Sequence, residues 1–178
     1  RLPCLKDFQS WVTLRKDSED FLSQWEPERD KNFYSLALFK SRIRWAKKNF
    51  KEKKVIHAFI FRQEDNLLIG AITVDNVRRG AAQAGSIGYW MGKPFVQNGY
   101  MFEVVKALTF YTFKNFELSR LVAATLPENQ ASRRLLEKLG FKYEGVAQSY
   151  LQISGRWRNH VLYSLLREDR RGRVESLS

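Results

Sequence analysis

The sequence predicts an α/β (α+β) chain: a mixed, mostly antiparallel sheet with helices on its faces. Three observations point there. Short apolar segments bounded by polar turns cluster in the middle of the chain. Apolar residues at helical spacing precede and follow them. A last pair of strand-like segments closes the order, which runs helices, three strands, helix, strand, helix, two strands. With 178 residues, 44% of them hydrophobic, the chain holds the core of one domain.

Between Lys6 and Trp25, the residues Phe8, Trp11, Val12, Phe21 and Leu22 are spaced as two short helices, with Ser18 as a candidate cap. Asn32–Lys51 reads as a longer helix, with Leu36, Leu38, Phe39, Ile43 and Trp45 inward. Its lysines, and those on to Lys54, read as a solvated face in preference to an RNA site. Val55–Phe61 is the first strand. Gln63–Asn66 is a polar hairpin turn, and Leu67–Val77 is the return strand. After a connection at Arg78–Gly80, Ala84–Met91 is the third, so three strands pair consecutively and antiparallel. From Gly99 the period turns helical, with Met101, Val104, Val105, Leu108, Tyr111 and Thr112 on one face. Leu121–Thr125 is a short buried strand. Asn129–Leu139 is a helix with marked ends: Pro127 and Asn129 before it, Gly140 after it, and Phe141 folding back. Tyr143–Ile153 and Trp157–Leu166 are strands around a Ser154-Gly155 turn. Residues 1–168 are expected to form the domain, and 169–178 a charged, disordered tail.

No apolar run reaches the roughly 18 residues of a membrane span, so no membrane partner is expected. Arg1–Cys4 lacks the apolar run of a secretory signal and reads as part of a strand whose start is missing. Cys4 is the sole cysteine, and His57 and His160 are the sole histidines. That composition suggests a reducing cytoplasm and no metal. The formal charge of +12, from 31 basic and 19 acidic residues, favours an anionic partner such as a nucleotide cofactor or an RNA-rich particle like the ribosome. A merely solvated basic surface is the alternative. The aromatics are spaced like core positions, and no basic-glycine-aromatic strand motif is present. Both features argue against an RNA-binding module, and the two stretches that follow favour an enzyme.

Two stretches carry the chemistry. In Gly88-Tyr89-Trp90-Met91-Gly92-Lys93-Pro94-Phe95-Val96-Gln97-Asn98-Gly99-Tyr100-Met101-Phe102-Glu103, a strand gives way to a polar loop and then a helix. The first turn of a helix has unpaired N–H groups and partial positive charge, which suits a diphosphate. Gly99 keeps side-chain bulk away from such an anion. About 30 residues on comes Asn129-Gln130-Ala131-Ser132-Arg133-Arg134-Leu135-Leu136-Glu137-Lys138-Leu139-Gly140-Phe141. Together the two stretches resemble the acetyl-CoA pyrophosphate motif and the cofactor-flanking helix of the GNAT superfamily of N-acetyltransferases. Asp20-Phe21-Leu22, Trp25-Glu26-Pro27, Gly99–Glu103, Tyr150-Leu151 and Gly155–Leu162 narrow the resemblance. They are similar to the RimJ/RimL-like branch, which acetylates the N-terminal amine of ribosomal proteins. The resemblance runs from about Leu14 to Arg167.

The resemblance implies a sheet splayed at its centre, between Trp90-Met91 and Ala123-Ala124, with the pantetheine arm of acetyl-CoA in the opening. It implies backbone amides of Gln97, Asn98, Gly99, Tyr100, Met101 and Phe102 on the pyrophosphate. Trp90 and Met91 would lie along the arm. Asn129 would meet the arm or cap its own helix, and Ser132 would face the thioester sulfur. Arg133 or Arg134, preferably Arg134, would meet the ribose phosphate or face solvent. Ser132 is the candidate acid for the leaving thiolate, and the Met91 N–H the candidate for polarising the thioester carbonyl. Asn76, Tyr89, Tyr150 and Asn159 are candidate substrate contacts, with packing the alternative for Tyr89 and Tyr150. Asp75 and Ser149 are further polar candidates. Glu103 reads as complementing a helix dipole, and His160 as a structural histidine. At most one of Trp11, Trp25, Trp45 and Trp157 is expected in the groove.

The chain departs from the family pattern in three places. Val96 stands where the pyrophosphate motif usually begins with Gln or Arg. Leu136 stands at the position that often holds a tyrosine acid. Leu151 stands where RimL-type enzymes place a glutamate base, so the base stays unassigned. The implied reaction is direct attack of a neutral amine on acetyl-CoA in a ternary complex. The acceptor is the N-terminal alanine of a ribosomal protein or, alternatively, a small amine. The chain is expected to act as a monomer or dimer.

Overall fold

The computed structural model describes residues 1–167; the expected tail lies outside them. The chain opens with a 3-10 turn at Leu5–Asp7, followed by helices α1 (Phe8–Asp17) and α2 (Glu19–Ser23). Ser18 occupies the break between them, but its side chain does not cap α2. Instead Ser18 Oγ, almost fully buried, accepts a hydrogen bond from Lys93 N at 3.0 Å. That bond ties the helix pair to the loop after the third strand.

Helix α3 spans Leu36–Lys51 and begins four residues later than Asn32, because Ser35 caps it by accepting from Leu38 N. Its buried face is Phe39, Ile43 and Ala46. Leu36 and Trp45 are exposed, correcting the inward assignment. Phe39, Ile43 and Ala46 follow the three- and four-residue spacing of one face, from which position 45 is rotated away, while Leu36 is the first residue of the helix.

Strands β1 (Ile56–Phe61), β2 (Leu68–Arg78) and β3 (Ala84–Met91) pair antiparallel in succession. Helix α4 (Tyr100–Asn115) crosses to β4 (Arg120–Thr125), which lies parallel to β3. Within α4 the buried positions are Val105, Thr109 and Thr112, while Tyr111 faces outward. Helix α5 (Gln130–Lys138) ends as its sequence predicts: Gly140 N donates to Glu137, Phe141 N donates to Leu136, and the Phe141 ring is buried. Strands β5 (Lys142–Ile153) and β6 (Arg156–Leu166) form the final hairpin. The sheet order is β1-β2-β3-β4-β6-β5.

Alternation along β1 divides the core. Ile56 and Ile60 point to one face, where α4 and α5 pack with Val105, Leu136, Phe141 and Tyr163. Phe59 points to the other, where α1 and α3 pack with Trp11, Leu14, Phe39 and Ile43. Helices thus cover both faces of an open mixed sheet. Among the described residues no helix is long and apolar enough to cross a membrane, and no three His, Cys, Asp or Glu side chains group as a metal site would need.

Candidate active site

The sheet opens at its centre. β3 and β4 pair at Ala84–Arg120, Gly85–Leu121 and Ser86–Val122 and nowhere further along. β3 continues to Met91 paired with β2 alone, while β4 continues to Thr125 paired with β6 alone. The result is a fork between Ile87–Met91 and Ala123–Thr125. Gly92 N donates to Ile69 C=O at 2.9 Å. By antiparallel alternation, the main-chain groups of Tyr89 and Met91 therefore face away from β2, into the fork. A free N–H and C=O edge is thus available to an extended ligand.

Beyond β3 the chain makes a 3-10 turn at Lys93–Phe95 and then enters α4. Gln97 and Gly99 both have positive φ, 64° and 83°. A Cβ on Gly99 would meet nothing within 4 Å, so the left-handed backbone, and not crowding, is what calls for glycine. Among the described residues, none of the N–H groups of Gln97, Asn98, Gly99, Tyr100 and Met101 donates to a carbonyl or side chain, whereas Phe102 N and Glu103 N close on Gly99 C=O. Five donors at the positive end of a 16-residue helix form an anion cradle. Glu103 is exposed in the first turn of the same helix.

Helix α5 brings a second helix start to the fork. Asn129 Oδ1 accepts from Ser132 N at 3.1 Å, so its carboxamide oxygen caps the helix. The hydroxyls of Ser132 and Tyr89 lie 2.9 Å apart. Burial pushes the Tyr89 hydroxyl up to about 12, with the Ser132 hydrogen bond opposing, so it keeps its proton at neutral pH. Arg133 turns from the fork and donates to Tyr163 Oη and Pro127 C=O. Leu136, where the family often has an acid, is core.

A cavity of about 640 Å³ lies against the β3 arm of the fork, beside the starts of α4 and α5. All eleven residues expected along a cofactor line it: Trp90, Met91, Gln97, Asn98, Gly99, Tyr100, Met101, Phe102, Asn129, Ser132 and Arg134. A second cavity, of about 480 Å³, lies between β1–β3 and the N-terminal helices, with Trp11, Arg15, Phe33, Arg42 and His57 in its wall. Glu26, Tyr89 and Trp90 line both, and so mark where the two meet.

Glu26 is held from three sides. Arg15 Nη1 donates to it at 2.9 Å, and Arg29 Nη2 donates to the same carboxylate. The hairpin tip braces its backbone: Ser154 N donates to Glu26 C=O at 3.1 Å, and Ser154 Oγ donates to Ser23 C=O at 2.8 Å. Arg15 is 4% exposed and its guanidinium lies 4.4 Å from the Trp90 ring centroid. His57 is pushed down to about 4 by burial and by Arg42, and is neutral at physiological pH.

The expected substrate contacts divide. Tyr89 is at the junction, but Asn76, Tyr150 and Asn159 line neither cavity. Asn76 is exposed at a bulge of β2, where its amide donates to Asp75. Asn159 is exposed, and its Oδ1 accepts from Ser149 N. Tyr150 is 42% exposed on the hairpin, tilted against the His160 ring. His160 is buried, with Nδ1 3.0 Å from Arg158 C=O. Trp11 lines the second cavity and Trp25 the first. Sequence reasoning assigned no role to Glu26, Arg15, Arg42 or His57. The available signal was Trp25-Glu26-Pro27, an acid set between an aromatic and a proline.

Comparison with known proteins agrees with this geometry. Residues 1–142 match the family model described as an acetyltransferase (GNAT) domain. A probable N-acetyltransferase of Bacillus subtilis, YjcK, is 31% identical over 92% of this chain and 90% of its own length. The [ribosomal protein uS5]-alanine N-acetyltransferase of Escherichia coli is 33% identical over 86% of this chain and 79% of its own. Among solved structures, the ribosomal-protein-S5-alanine acetyltransferase of Vibrio fischeri superposes with a TM-score of 0.89, at 28% identity, covering 95% of this chain and 92% of that one. Mycobacterium smegmatis RimJ, solved in complex with CoA-disulfide, superposes at 0.88 with 25% identity, covering 97% and 83%. The chain belongs to the GNAT family of acetyltransferases and is an N-acetyltransferase.

Proposed function

We propose that the chain transfers the acetyl group of acetyl-CoA to the N-terminal amine of a protein, with the alanine terminus of a ribosomal protein as acceptor. The observation that carries this is the meeting of two cavities at the free edge of β3, one lined by an anion cradle and the other by the N-terminal helices. The names of the relatives support the acceptor class.

The residues present fit the donor. The N–H groups from Gln97 to Met101 suit a diphosphate, Arg134 lies on the same cavity wall, and the β3 edge offers hydrogen bonds to an amide-containing arm. When bound, acetyl-CoA supplies an activated thioester carbonyl. Met91 N–H faces the fork and polarises that carbonyl. Ser132 Oγ hands a proton to the departing thiolate and takes one back from the Tyr89 hydroxyl at 2.9 Å, which is reprotonated in turn from the water that receives the amine's proton.

The acceptor needs little base. An α-amino group has a pKa of about 7.8, so roughly a tenth is uncharged at pH 7. Glu26 is engaged by Arg15 and Arg29, and His57 binds protons more weakly than the amine does. An ordered water chain carries the proton away, and proximity does most of the work.

The test is incubation with acetyl-CoA and peptides bearing a free N-terminal Ala, read by mass spectrometry. One acetyl group on the terminus is expected. Transfer to small amines with none to any peptide terminus overturns the acceptor class. Gly99→Val, read by calorimetry with CoA, should weaken donor binding by straining the left-handed turn. Unchanged affinity would remove the cradle from the donor site.

A further inference from the structure

The cavity proposed for the acceptor contains a cation without an ion-pair partner among the described residues. Three guanidiniums line it: Arg15, Arg29 and Arg42. Arg15 pairs with Glu26, and Arg29 pairs with Glu26 and Glu19. Arg42 forms no ion pair among the described residues; its one hydrogen bond runs from Nη1 to Phe33 C=O at 3.4 Å. The remaining acids of the wall, Glu28 and Asp30, are exposed and do not bond it. Arg42 is also fixed in place. Its guanidinium lies 4.2 Å from the Phe33 ring centroid and 5.6 Å from that of Trp11. Burial, then Arg15, lower its proton affinity, with Asp30 opposing and Arg29 adding, yet it stays charged.

An amine acceptor entering this cavity is mostly an ammonium ion at neutral pH. It meets a stationary positive charge with four N–H donors to spare. A simple cationic amine is repelled there. An acceptor that brings its own anion is attracted, and a guanidinium fork receives a carboxylate in bidentate geometry.

We propose that the acceptor cavity selects primary amines that carry a carboxylate near the amine, with Arg42 as the residue that receives it. The inference rests on the acetyl-transfer function proposed above and names its substrate class. The carboxylate has two chemical sources: an acidic side chain close behind a peptide N-terminus, or the free carboxylate of a small amino acid.

The experiment has one arm for each source. In the first, peptides with N-terminal Ala carry Glu, Gln or Lys at the second or third position. In the second, amino acids are compared with their amides. Each acceptor is followed by thiol release with acetyl-CoA, and binding is followed by calorimetry with CoA in place of the acetyl donor. The Glu peptides, or the free amino acids, should exceed their neutral partners by at least about tenfold in kcat/KM and in affinity. Arg42→Gln should bring that ratio close to one. Arg42→Glu should reverse it in favour of Lys, an outcome that damage to the fold cannot produce. Equal use of acidic and neutral acceptors by the wild-type chain in both arms overturns the inference, whatever the variants do. A preference that survives in Arg42→Gln also overturns it. Transfer without preference removes this inference alone; no transfer to any amine removes the proposed function and this inference with it.

Discussion

If Tyr89 acts through Ser132, the two hydroxyls form a serial path and their removal cannot be additive. Ser132→Ala deletes the proposed proton donor. General acid catalysis is worth about 10²–10⁴ in rate, so kcat should fall at least about 100-fold. Tyr89→Phe deletes only the hydroxyl 2.9 Å behind Ser132. The loss of one neutral hydrogen bond, about 0.5–1.5 kcal/mol, corresponds to a fall of roughly 2- to 13-fold. In series, the double variant should be no slower than Ser132→Ala alone. Independent action predicts the product, roughly 200- to 1,300-fold. The assay is thiol release at saturating acceptor, with CoA affinity measured alongside to separate kcat from binding. Asn129 still caps α5 in each variant, because its bond is to the Ser132 backbone. Multiplicative losses would refute the relay, as would an Ser132→Ala enzyme of wild-type kcat.

Other perturbations have definite outcomes. Glu26→Gln removes the counter-ion of Arg15, which is 4% exposed, and should cost about 2–4 kcal/mol in urea unfolding, somewhat below a fully buried pair; an unchanged midpoint would show that Arg29 and water suffice. His57 is held neutral with its value pushed down to about 4 from 6.5, so the unfolded chain binds the extra proton between those values. Stability should therefore be fully present above about pH 6.5 and fall by about 3 kcal/mol as pH drops to 4; His57→Gln should flatten that slope, and an identical slope would assign it to other groups. Gly70→Ala places a Cβ 2.4 Å from Trp90 C=O and 3.2 Å from Met91 Cα. It should cost about 1–3 kcal/mol and lower Tm by roughly 2–4 °C for each; a variant as stable as the wild type would mean β2 and β3 separate without strain.

What the sequence disclosed follows the range of the forces involved. Alternation made β1–β3 legible, since each strand has one face toward α1 and α3 and the other toward α4 and α5. The ends of α5 were legible because Asn129 and Gly140 act on their own neighbours. The residues of the fork cavity were named through family resemblance, and the structure gathers all of them around one space. The acceptor side was not legible. Glu26 has no periodic role, and its position is set by Arg15, Arg29 and Ser154, the last 128 residues away in sequence. Asn76, Tyr150 and Asn159 were chosen for polarity on nearby strands, and nothing local reveals the direction each side chain takes. Trp45 and Leu36 were misjudged because an apolar side chain on a helix is compatible with an exposed position.

The bond between Ser154 and the Glu26 segment joins early and late parts of the chain where the two cavities meet. A nascent polypeptide exposes the diphosphate cradle and the first half of the fork well before residue 154 is synthesised. Its acceptor wall lacks that brace until the closing hairpin arrives. Because β6 of that hairpin is also the partner of β4 and carries Val161 and Tyr163 into the core, both walls of the site are completed only when the last strand is in place.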